Sequence, residues 1–207
     1  MYTTKAPVHY ASFTKERRLK VYKGKDLSGR SIEIFPDGIE GVVKSISQFE
    51  YEYDNKKDWA WKITFSHEDN GEVVTCVLKM HKCGGPTKSL LNSLCSADMM
   101  NKIELEYWVR DEKYIRIGLK QDGFVLSWKY GPEEMPKAET ITTPSGKTFK
   151  DDSKVEQWCI DRVTEINRNM GINVEKPHIS TPSPQEQAFE DIIAPKEDEE
   201  EVLDLPF

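Results

Sequence analysis

Between residues 31 and 130 apolar and polar side chains alternate in short runs broken by Gly, Pro, Asn and Asp, the pattern of half-buried β-strands. Ile32–Phe35 and Ile39–Tyr53 are two such runs, separated by Pro36-Asp37-Gly38. Trp59–Ser66 and Val73–Met80 flank a segment ending in Asn70-Gly71. Asn-Gly is a strong hairpin signal because both residues accept positive φ. A two-residue loop there sets Phe65 opposite Cys76, Ile63 opposite Leu78 and Trp61 opposite Met80. All six are apolar and share one face, while Lys62, Thr64, Thr75, Val77 and Lys79 share the other, so the pattern pins the register.

Pro86–Ala97 reads as a short helix, opened by Pro86 and carrying Leu90, Leu91 and Leu94 as an apolar stripe. Three further strands follow: Ile103–Arg110, Tyr114–Lys120 and Phe124–Tyr130. Asp122-Gly123 predicts a tight turn that opposes Leu119 to Leu126 and Ile117 to Trp128. A three-residue loop at Asp111-Glu112-Lys113 opposes Arg110 to Tyr114 and Trp108 to Arg116. A two-residue loop would mix the faces. Three strands, a short helix and further strands is the order of an OB-fold, a small Greek-key β-barrel. Another small barrel or a sandwich remains the alternative, because strand order is not written in sequence.

The expected class is therefore mainly β, with residues 31–130 as the barrel and residues 1–30 as a basic N-terminal arm. Residues 131–172 are a loop and a helix over Asp151–Met170, whose Val155, Trp158, Cys159, Val163 and Ile166 recur at helical spacing and pack on the barrel. Residues 173–195, with Pro177, Pro182, Pro184 and Pro195, are a linker, and residues 196–207 an acidic tip expected to be disordered.

On these registers one solvent-facing sheet surface collects Trp108, Arg110, Tyr114, Arg116, Lys120, Ser127 and Lys129, with Glu104 and Glu106 at its far end. Flat rings among cations suit unpaired nucleic acid: bases stack on the rings at roughly 1–3 kcal/mol each and cations follow the phosphates. Lys62 and Lys79 add charge from the neighbouring hairpin. Stacking ignores base identity, so binding would be nearly sequence-neutral. Trp59, Trp61, Phe65, Tyr107, Phe124 and Trp128 fall on the inner face and are expected in the core. Phe49, Tyr51 and Tyr53 alternate with acids and either extend the groove or mark a strand leaving the barrel. Tyr10, Phe13 and Tyr22 interleave with the basic N-terminal run, as an arm over a bound strand or a solvated leader.

Charge partition sharpens this reading. The 207-residue chain carries a formal net charge of −7, yet residues 186–207 alone hold nine acids and one lysine. Residues 1–185 are thus close to neutral, and residues 1–30 hold eight Lys/Arg against Glu16 and Asp26. The acid is segregated to one end, so the rest can present a positive face.

The chain closes on Asp204-Leu205-Pro206-Phe207, two residues after the acidic run 197–201. A terminal Phe with a free carboxylate behind an acidic stretch fits a partner's pocket beside an Arg or Lys. This ending resembles the tip of bacterial and phage single-stranded DNA-binding proteins, an acidic stretch finished by a hydrophobic-Pro-Phe tripeptide. The resemblance spans about the last ten residues. It implies an OB-fold protein that binds and protects single-stranded DNA during replication, recombination and repair. It implies that Asp204, Leu205, Pro206 and Phe207 recruit replication and repair proteins. The linker is short and Pro-containing rather than Gly/Gln-rich, which implies a phage-type member acting in the cytoplasm of a bacterial host. Monomer or dimer is then expected rather than tetramer. A mediator or interaction hub that borrows the same tail without coating DNA is the alternative.

No catalytic residue, metal or cofactor is expected. Cys76, His81, Cys83 and Cys95 lack the spacing of a closed zinc site. Gly84-Gly85-Pro86-Thr87-Lys88-Ser89 lacks the frame of a phosphate loop. The four histidines have no nucleophile partner at a defensible spacing. No apolar run reaches the roughly 20 residues that span a bilayer, and no signal peptide opens the chain.

Overall fold

The computed structural model describes residues 7–53, 56–69 and 71–172. The fold is mainly β. Its centre is the hairpin of β5 (Lys56–Asp69) and β6 (Glu72–His81), which turns at Gly71 with φ +81°. The ladder pairs Trp61 with Met80, Ile63 with Leu78 and Phe65 with Cys76, the expected register, and all six side chains are buried.

β4 (Gly38–Tyr53) holds two sheet halves together. Its first residues, Gly38–Gly41, pair with β7 (Ile103–Arg110), and from Val42 onward it pairs with β5. The register slips between Val43 and Ser45, a bulge that lets one strand serve both partners. The approach is close enough to require glycine: a Cβ at Gly38 would lie 2.2 Å from the carbonyl oxygen of Leu105.

Residues read from sequence as a basic arm enter the sheet. β1 (Val8–Phe13) runs parallel to β6, β2 (Leu19–Lys25) pairs with β1, and β3 (Ser31–Ile34) with β2. With β8 (Tyr114–Gln121) and β9 (Phe124–Val125) the order is β3-β2-β1-β6-β5-β4-β7-β8-β9. The described ladders include none between β6 and β8, because β1 occupies that edge of β6. Side chains join β1 and the turn after it to the β7–β8 hairpin instead. The Phe13 and Tyr107 rings meet edge-on at 5.3 Å, and Arg17 Nε donates to the Lys113 carbonyl at 2.8 Å.

α1 (Gly85–Leu94) lies between β6 and β7 and buries Leu90, Leu91 and Leu94 completely. Ser89 Oγ donates to the Ile117 carbonyl of β8. α2 (Ser153–Asn169) buries Val155, Trp158, Cys159, Val163 and Ile166, and Asn167 Nδ2 donates to the Ile46 carbonyl of β4. A separate hairpin, β10 (Glu139–Thr142) with β11 (Thr148–Asp151), precedes α2, where the sequence pattern predicts only loop. No helix among the described residues is long and apolar enough to cross a membrane.

The strand expected over Phe124–Tyr130 stops at Val125. Leu126 N still donates to the Leu119 carbonyl, so the predicted register begins as expected. Asn92 of α1 then takes the chain away: its amide donates to the Tyr130 carbonyl and its Oδ1 accepts from Tyr130 N, both at 2.9 Å. The Ile117–Trp128 pair is absent from the ladder. Phe124 and Trp128, expected in the core, are 78% and 41% exposed.

Candidate nucleic-acid interface

The β7–β8 hairpin turns through Asp111, Glu112 and Lys113, with Asp111 and Glu112 both left-handed at φ 54° and 52°. That conformation is uncommon for residues with a Cβ and fixes a three-residue turn. The register follows: Arg110 opposes Tyr114, Trp108 opposes Arg116, Glu106 opposes Gly118 and Glu104 opposes Lys120. Four of the predicted site residues thus meet near the turn. Trp108 is 52% exposed. Its ring lies against Gly118, where an added Cβ would approach it to 3.0 Å. The Lys113 ammonium lies 5.7 Å from the centre of the Tyr114 ring.

Charge on this face is graded. Lys120 Nζ bonds Glu106 at 2.5 Å, which raises the lysine pKa and neutralises the far end. Arg110 Nε lies 3.3 Å from Asp111, both well exposed, an arrangement that adds little stability. Among the described residues no acid pairs with Arg116. The effective cation of the face therefore stands directly across from Trp108.

Lys129 does not join this face. Beyond the end of β9 its ammonium pairs with Glu165 of α2, and the Tyr130 hydroxyl donates to the same carboxylate at 2.7 Å. Burial pushes Glu165 upward, but the bonds from Lys129 and Tyr130 outweigh it and hold the carboxyl below its ordinary value. Ser127 leaves the sheet with it.

Lys62 and Lys79 oppose each other on the outer face of β5 and β6. The ladders extend that face sideways. Ser47 of β4 pairs with Lys62, and Phe49 and Tyr51 follow on the same side. The Lys79 ammonium lies 4.1 Å above the Tyr51 ring and 5.0 Å above the Phe49 ring. In the other direction Val77 pairs with Tyr10, and Tyr10 with Tyr22. These three form a small buried cluster separate from the main core. The sequence pattern allows Phe49 and Tyr51 either to extend the groove or to leave the barrel; the register puts both beside Lys79. Their alternation with acids was the available signal. Nothing local in the sequence marked Arg17 as the link to the β7–β8 turn.

Candidate chemistry elsewhere is limited. Among the described residues no three His, Cys, Asp or Glu side chains are grouped to hold a metal ion. Burial pushes the thiols of Cys76, Cys83, Cys95 and Cys159 up to about 12. Such thiols are poor nucleophiles near neutral pH. At one end of the sheet interior, a cavity of about 260 Å³ is lined in part by His9, His67, Lys23 and Asp69. The two imidazoles stand 5.9 Å apart with no hydrogen-bond partner at Nδ1 of either, and Lys23 bonds Asp69 at 2.5 Å. Asp204, Leu205, Pro206 and Phe207 lie outside the described residues. No family model, curated protein or solved structure matches the chain.

Proposed function

We propose that this protein binds single-stranded DNA with little sequence preference and recruits partner proteins through its acidic C-terminal tip. The observation that carries the reading is the exposed Trp108 ring paired across the ladder with Arg116, beside Tyr114 and Arg110. A base stacked on the ring would place its phosphate within reach of the guanidinium. Each such base contributes roughly 1–3 kcal/mol, whatever its identity.

Topology supports the same reading. Strands β4, β5 and β6, then α1, then β7 and β8, with β4 shared between β5 and β7, resemble the connectivity of an OB-fold. In that fold the face of the second and third strands and the adjoining hairpin loops hold oligonucleotides. Their counterparts here are the Lys62/Lys79 face and the β7–β8 turn. The acidic ending at Asp204-Leu205-Pro206-Phe207 adds the recruitment function by its resemblance to the tip of single-stranded DNA-binding proteins.

Titration of tryptophan fluorescence with dT oligomers at several salt concentrations tests the proposal. Quenching should saturate, and log K should fall linearly with log salt, by about 0.7 per phosphate contact. Absence of binding, or equal affinity for duplex of the same length, would overturn it.

A further inference from the structure

The two candidate faces lie on different parts of the sheet, and one element touches both. β1 is hydrogen-bonded to β6, the strand that carries Lys79. The turn after β1 is bonded to the β7–β8 turn through Arg17 and the Lys113 carbonyl, and packed on β7 through Phe13 and Tyr107. Between residues 15 and 20 it carries Lys15, Arg17, Arg18 and Lys20 against one acid, Glu16. Arg18 is exposed, with its guanidinium 4.4 Å over the Phe35 ring. Lys20 pairs across the ladder with Ser12, on the face that Tyr10 and Val77 share with Lys79, and its ammonium lies 3.4 Å from Glu33 of β3. Arg17 holds φ +61°, a conformation that a residue with a Cβ keeps only when its surroundings enforce it. The turn closed by Thr14 N on the Arg18 carbonyl supplies that constraint, and the bond to Lys113 adds to it.

We infer that the β1–β2 turn is a crossing point that carries one nucleic-acid strand from the Lys62/Lys79 face to the Trp108/Arg116 face. The inference rests on the single-strand-binding reading above and adds a path to it. Cations then run from Lys62 and Lys79 to Arg18 and on to Lys113 and Arg116, past the charge-balanced Lys20–Glu33 pair. A strand on that path is contacted by turns 96 residues apart in the sequence. Arg17 is a positioning residue here: its guanidinium is committed to a backbone carbonyl, so it holds the crossing closed while Lys15 and Arg18 meet phosphate.

The test compares the full-length chain with the double variant Lys15→Gln/Arg18→Gln, which leaves the Arg17 bond in place. Oligomers of about 5 and about 16 nucleotides bracket the span of one such domain. The wild type should bind the longer oligomer far more tightly. The variant should bind the shorter one unchanged and the longer one at least tenfold more weakly, with a salt slope reduced by about 1.4 for two lost phosphate contacts. Crosslinking of a 5-iodouracil-substituted oligomer should give adducts within residues 14–20 for the longer oligomer alone. Equal loss at both lengths, no loss at the longer one, or adducts confined to one face would overturn the crossing and leave single-strand binding standing. A wild type that binds neither oligomer would instead remove the underlying reading.

Discussion

Trp108 and Gly118 fit together with almost no room: a methyl group at position 118 would stand 3.0 Å from the indole ring. Gly118→Ala should therefore tilt the ring away from the sheet. Its expected signature is a shifted tryptophan emission maximum and several-fold weaker dT binding, with the melting temperature nearly unchanged. Trp108→Ala and Tyr114→Ala should each cost roughly 1–3 kcal/mol of binding while the fold survives, since neither ring is core. Loss of the native circular dichroism spectrum in Trp108→Ala would place the ring in the core and remove it from the interface.

Arg116 and Lys120 sit on one strand and one face, yet they should behave differently. Lys120 is already committed to Glu106, whereas Arg116 has no acidic partner among the described residues. Arg116→Gln should lower the salt slope of dT binding by about 0.7. Lys120→Gln should lower it less, because its ammonium must leave a carboxylate to meet phosphate. Equal slopes for the two variants would show that the Glu106 pair does not persist when DNA binds.

Burial, reinforced by Lys23 and by His67, lowers the pKa of His9, while Asp69 opposes the shift. The unfolded chain therefore takes up that proton first as pH falls. The stability contributed by neutral His9 is complete above its ordinary value of 6.5 and declines as pH drops below it toward the folded value. His81 is shifted the same way, chiefly by burial. Urea midpoints measured from pH 7.5 to 5 should fall in the wild type. The fall should be shallower in His9→Gln and shallower again in His9→Gln/His81→Gln. An identical pH profile in all three proteins would exclude both histidines as the cause.

Removal of residues 198–207 should act in opposite directions on two assays. DNA affinity should rise modestly at low salt, because an acidic segment tethered to the protein no longer competes for its basic faces. Partner binding should disappear, and Phe207→Ala alone should remove most of it, as a single buried aromatic anchor commonly dominates a small interface. A truncated chain that retrieves the same replication and repair proteins as the full chain would refute the recruiting role.

Both hairpin registers that matter here were legible because a one-residue slip would exchange the faces completely. Phe65 with Cys76, and Trp108 with Arg116, follow from alternation and turn chemistry alone. The fate of Phe124–Tyr130 was not legible, because an asparagine more than thirty residues away competes for its backbone. The same limit hid β1 and β2. These short strands are held through the parallel pairing of β1 to a distant strand, and no local pattern announces such a partner. Lys129 was misplaced with its strand, while the position of Phe49 and Tyr51 beside Lys79 follows only from the pairing of β4 with β5.

The bond from Arg17 to Lys113 spans 96 residues, which fixes an order of events during synthesis. When β1 and β2 leave the ribosome, neither β6 nor the β7–β8 turn yet exists. At about 5–20 residues per second the N-terminal hairpin waits on the order of 5–20 s for its second anchor. Its basic turn is thus made well before it is secured. A nascent chain stalled before residue 113 should leave that turn open to protease, and one released after β8 is complete should not.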